Sequence, residues 1–181
     1  MLLNEIKYKN PVEADEEYGM DAGRYIGMRF TPETKKLLKQ IVHSERVPNP
    51  TPEDKLHSTV VYSKGNAVPD YEVQGKLNDP VEAEIEDFDY FDSDNGKCLV
   101  AKLRSDDMVA RHNKAKDLGA NYDYEEYKPH ITLSYSADDL DDDFLDNLRS
   151  KYAGTKVYAD EEYDEPIETD WAVKNADRLR K

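Results

Sequence analysis

Two stretches of this chain carry the same reactive residue types at the same offsets. Lys55-Leu56-His57-Ser58-Thr59-Val60-Val61-Tyr62-Ser63 and Lys128-Pro129-His130-Ile131-Thr132-Leu133-Ser134-Tyr135-Ser136 both read Lys-x-His-x-Thr-apolar-x-Tyr-Ser. Two of the four histidines therefore sit in matching surroundings. Histidine gives and takes protons near neutral pH. In a strand, residues i and i+2 share a face, so each copy presents an imidazole beside a hydroxyl. Breaking a phosphodiester needs an activated nucleophile and a protonated leaving oxygen. One neutral and one protonated imidazole on opposite sides of phosphorus would do both. Thr59 and Thr132 would donate hydrogen bonds to the non-bridging oxygens, where charge builds up in the transition state. This chemistry requires no metal and no cofactor. The matching of the two copies leaves open which histidine is acid and which is base. The repeated Lys55 and Lys128 either attract phosphate or sit in solvent. Tyr62, Tyr135, Ser63 and Ser136 either support the reactive pairs or repeat for packing and strand ending.

Each copy closes a strand–helix–strand pattern. Arg24–Phe30 alternates as a strand. Thr31, Pro32 and Glu33 then form a helix start, with Leu37, Leu38, Ile41 and Val42 as its apolar stripe. The proline-rich stretch from Val47 to Pro52 ends it, and the first phrase follows as a strand from Leu56 to Tyr62. In the second half, Lys97–Arg104 reads as a strand. Ser105 caps a helix to about Leu118, with Met108, His112 and Ala115 on one side and Gly119 at its end. Between the halves, Val81–Phe91 reads as a strand, and Asn95-Gly96 as a hairpin turn. Leu140, Phe144, Leu148 and Tyr152 mark a third helix. Two terminal strands are expected near Lys156–Tyr163 and Pro166–Val173. The chain is thus an internal duplication at the level of structural pattern.

The 181 residues suit one domain, residues 1–181, with an acidic N-terminal arm over residues 1–22. A net charge of −15 argues against a long nucleic acid as partner. A small anion stays possible, because a few local cations outweigh distant acids. The single cysteine, Cys98, lies in an apolar stretch and excludes an intrachain disulfide. There is no signal-peptide core and no run of transmembrane length, so a cytoplasmic location and no membrane partner are expected. The aspartates at 138, 139, 141, 142 and 143 suit a helix N-terminus better than a metal site. His43 and His112 lack repeated partners and are read as structural or surface residues.

The two His-x-Thr motifs resemble those of the two-histidine phosphoesterase superfamily, over about Tyr25 to Trp171. That resemblance implies an α+β fold of two pseudo-twofold lobes, with antiparallel sheets lining a central cleft and helices outside. Within the superfamily, Tyr25–Phe30 and Pro50–Ser63 resemble the phage anti-CBASS phosphodiesterases, which degrade the cyclic oligonucleotide messengers of bacterial antiphage defence. The likeness implies His57, Thr59, His130 and Thr132 as the catalytic quartet. It also implies Tyr25 and Trp171 as rings that hold nucleobases, and Glu165 (or nearby Glu168) at a base edge. The implied activity is metal-independent cleavage of 3′–5′ bonds in a cyclic di- or trinucleotide. Two alternatives are an RNA-end or 2′,3′-cyclic-phosphate phosphodiesterase, and a non-catalytic cyclic-nucleotide sponge. Oligomeric state is not legible.

Overall fold

The computed structural model describes residues 23–167. The expected acidic arm, Glu168 and Trp171 lie outside the described residues, as does most of the second terminal strand. The elements run β1 (Arg24–Phe30), α1 (Pro32–Ser44), β2 (His57–Ser63), β3 (Gly75–Ser93), β4 (Gly96–Arg104), α2 (Asp106–Asp117), β5 (His130–Ser134), α3 (Asp142–Tyr152) and β6 (Lys156–Pro166). The strands form one antiparallel sheet in the order β2-β1-β6-β3-β4-β5. Exchanging β1 with β4, β2 with β5 and β3 with β6 reverses this order onto itself. The duplication seen along the chain is therefore also a pseudo-twofold of the sheet. The two lobes join through the β3–β6 pair into one sheet rather than remaining two.

The helix starts form for the expected reason. The side chains of Thr31, Ser105 and Asp141 accept hydrogen bonds from the amides of Thr34, Met108 and Phe144, each three residues on. The helix-side face of the sheet is apolar, with Ile26, Met28 and Phe30 from β1 and Leu99, Ala101 and Leu103 from β4 all buried. Leu38, Val42, Met108, Ala115 and Leu148 from the helices join it in one core cluster.

Several expected boundaries move. β3 starts at Gly75, six residues before Val81, because its first residues pair with Glu161 and Glu162 of β6 before a register break. Ser93 pairs with Gly96, so the hairpin turns on Asp94 and Asn95, and Gly96 takes the positive φ of +117° that follows. β6 continues unbroken through Pro166, since its second half pairs with β1. Leu140 precedes α3, and Leu145 and Leu148 form its buried stripe, with Phe144 half-buried.

Ser58 is buried on β2, opposite Met28, and among the described residues its hydroxyl has no hydrogen-bond partner. Ile131 takes the matching place in the second copy and is also buried. An unpaired buried hydroxyl costs about 1–3 kcal/mol. Ser58→Ala is therefore expected to raise stability by about 1 kcal/mol, seen as a higher urea midpoint at unchanged m-value. A lowered midpoint would mean that the hydroxyl has a partner.

Candidate active site

β2 and β5 are the two edges of the sheet, and each begins at its histidine. Both imidazoles are held in the same way. His57 Nδ1 lies 2.7 Å from the Lys55 carbonyl, and His130 Nδ1 lies 2.8 Å from the Lys128 carbonyl. A carbonyl only accepts, so Nδ1 carries the proton in both rings and Nε2 is left for chemistry. The repeated lysines thus contribute backbone carbonyls, a role that any residue at that position could fill.

Both strands carry a bulge one residue after the threonine. Ile26 pairs with Val61 and Gly27 with Thr59, which leaves Val60 over; Leu99 pairs with Ser134 and Val100 with Thr132, which leaves Leu133 over. The extra residue inverts the alternation. A tyrosine three places after the threonine then shares the face of the histidine and threonine. Tyr62, Tyr135 and His57 accordingly line one cleft of about 760 Å³. The repeat of Tyr62 and Tyr135, open on sequence grounds, follows from this bulge.

On β2 the threonine hydroxyl lies against a phenol. Tyr25 Oη is 2.7 Å from Thr59 Oγ1. Burial holds the phenols of Tyr25 and Tyr135 above their ordinary range, Tyr25 well above it, so both stay protonated. Each imidazole also has an aromatic neighbour at its edge: Tyr25 at 6.1 Å from His57 and Phe91 at 4.9 Å from His130.

Burial lowers the His130 pKa from its ordinary 6.5; the Lys128 carbonyl opposes this, and the nearby His57 lowers it further. His112 lies outside the cleft, buried in α2, with its Nδ1 2.7 Å from the Val60 carbonyl. It is structural.

Glu165 faces the cleft from β6, opposite Tyr25 in register. Two residues there escaped the sequence reading. Gly27 pairs with Tyr163, whose ring lies over it; a Cβ on Gly27 would sit 2.7 Å from the Tyr163 hydroxyl. Arg29, opposite His57, stacks its guanidinium 3.7 Å from the Tyr163 ring centre and pairs with Glu161 at 2.8 Å. Lys102 holds the matching place opposite His130. The alternation of β1 placed Tyr25, Gly27 and Arg29 on one face and was the available signal. Among the described residues, no group of three or more His, Cys, Asp or Glu side chains converges as metal ligands, and no helix is long and apolar enough to cross a membrane.

Paired His-x-Thr strands at the two edges of a pseudo-twofold sheet define a two-histidine phosphoesterase fold. The solved structure of E. coli LigT complexed with phosphate shares it, with a TM-score of 0.50 at 14% identity over 80% of this chain and 86% of that one. Residues 22–174 match the model of the family described as Anti-CBASS protein Acb1, and the chain belongs to that family. It is 36% identical to the anti-CBASS protein Acb1 of Enterobacteria phage T4 over 83% of this chain and 91% of the relative. It is 33% identical to that of Salmonella phage S16, again over 83% and 91%.

Proposed function

We propose that this protein is a phosphodiesterase that opens 3′–5′ bonds of cyclic di- or trinucleotides and so blocks CBASS antiphage signalling in the host cytosol. The observation that carries this reading is the matched pair of Nδ1-pinned histidines, each sharing its strand face with the threonine two places on. A protein that only binds nucleotide has no need of two such sets. The anti-CBASS names of the phage relatives support the choice of substrate.

His130, whose neutral form burial favours, is the general base. It takes the proton from the nucleophile, a neighbouring ribose 2′-hydroxyl or a water. The nucleophile bonds to phosphorus, the P–O5′ bond breaks, and His57 delivers a proton to the departing oxygen. Thr59 and Thr132 donate to the non-bridging oxygens as charge develops. Tyr25, Glu165 and Trp171 hold the bases, as the family likeness implies. Arg29 supplies local positive charge in an otherwise acidic protein.

The test is a panel of cyclic di- and trinucleotides, a 2′,3′-cyclic mononucleotide and a short RNA, incubated in excess chelator and read by mass spectrometry. Opened cyclic oligonucleotides are expected. Turnover of the cyclic mononucleotide alone would favour the RNA-end reading. Recovery of every ligand intact would make the protein a sponge, and activity only with added metal would overturn the mechanism.

A further inference from the structure

An edge strand leaves one row of backbone groups without a sheet partner. Both reactive strands of this protein are edges, so their outer carbonyls must be satisfied elsewhere. On β2, the carbonyl of Thr59 accepts from the Tyr127 hydroxyl at 2.8 Å, and that of Val60 from His112. On β5, the carbonyl of Thr132 accepts from the Thr51 hydroxyl at 2.8 Å, and that of Leu133 from the Thr51 amide at 2.8 Å. The same two positions are held in each copy, the threonine and its bulge residue. The donors always come from the other half of the duplication. Thr51 lies in the segment leading into β2, yet it holds β5. Tyr127 lies in the segment leading into β5, yet it holds β2.

We propose that Thr51 and Tyr127 are positioning residues that lock the two His-x-Thr strands together across the cleft. Each segment delivers its own histidine and also anchors the opposite threonine. The spacing of the two imidazoles is thereby set before substrate enters. Tyr127 is stiffened in this role by stacking on His112, with ring centres 4.1 Å apart and planes 6° from parallel. Burial holds its phenol well above the ordinary range, so it stays a donor.

The functional consequence rests on the phosphodiesterase reading; the lock itself does not. Misplacing a catalytic group by about 1 Å costs about 10²-fold in rate. Thr51→Val and Tyr127→Phe remove one hydroxyl each and keep the side-chain volume. Each is expected to lower kcat at least about tenfold with KM nearly unchanged, and Thr51→Ser to restore it. Hydrogen exchange in the substrate-free full chain gives the separate readout. Thr51→Val is expected to speed exchange in β5 while sparing β2, and Tyr127→Phe the reverse. Exchange unchanged in the opposite strand would overturn the lock. Altered exchange with wild-type kcat would overturn its catalytic importance, and a loss confined to KM would make Thr51, which faces the cleft, a ligand contact instead. If the wild-type protein turns nothing over, the phosphodiesterase reading falls, and exchange alone still decides the lock.

Discussion

His57→Ala and His130→Ala are each expected to slow single-turnover cleavage by about 10²- to 10⁴-fold, the range of a positioned acid or base. Both rings sit half-exposed at the start of edge strands. Their loss opens no core cavity, so the variants should stay folded and the loss should be chemical. The double variant should lose far less than the product of the single losses, because the two groups act as one unit. The pH profile separates their roles. With His130 as the proposed base, the rising limb of the wild-type profile is expected to report it. The proximity of His57 lowers the His130 pKa. Removing His57 should therefore move the residual rising limb to higher pH. A limb that stays put, or moves down, would break the proposed pairing. Stability follows the same groups. His130 and His112 both have pKa values lowered from 6.5 in the fold, chiefly by burial. The unfolded chain therefore binds more protons just below that pH, and stability should fall as the pH drops from about 6.5.

Glu162→Ala is expected to cost about 3–5 kcal/mol of stability, the typical cost of orphaning a buried ion pair. Glu162 is 1% exposed, on the helix side of β6. Its carboxylate accepts from the Tyr71 hydroxyl at 2.9 Å, the Gln74 amide at 2.9 Å and Arg111 at 2.6 Å. Alanine would strand a buried phenol and an amide, and would leave the mostly buried Arg111 guanidinium with Asp107 alone. Glu162→Gln keeps an acceptor and the volume while losing the charge, so it should cost less, about 1.5–3 kcal/mol. Urea unfolding of both variants measures this. An alanine variant within about 1 kcal/mol of wild type would mean that water replaces the carboxylate. The network also matters for the site. It joins β6, which presents Tyr163 to the cleft, to α2, which carries His112, and to the segment after β2 that Arg24 holds through the carbonyls of Val68 and Tyr71. Turnover should therefore fall with stability in Glu162→Ala, through loosening of both cleft walls.

The sequence hid this network for a plain reason. Glu162 lies in a run of acids, Asp160-Glu161-Glu162, that reads as a solvated strand. The bulge of β6 where Phe30 pairs with Ala159 changes which of those acids faces the helices. Register of this kind is set by partner strands, and no local pattern carries it. The same limit hid Tyr163 and Arg29, whose stacking depends on pairing across more than a hundred residues.

By itself the sequence determined the parts and their duplication: two strand–helix–strand units, their capped helix starts, and a histidine and a threonine on one face of each closing strand. These are local matters of alternation, capping and turn chemistry, and the repeat made them legible. Only the tertiary structure decided how the parts act together. It put both reactive strands at the sheet edges, turned Tyr62 and Tyr135 into the cleft through matched bulges, and desolvated His130. Those outcomes depend on long-range pairing and on desolvation, which arise only when distant segments exclude water from one another.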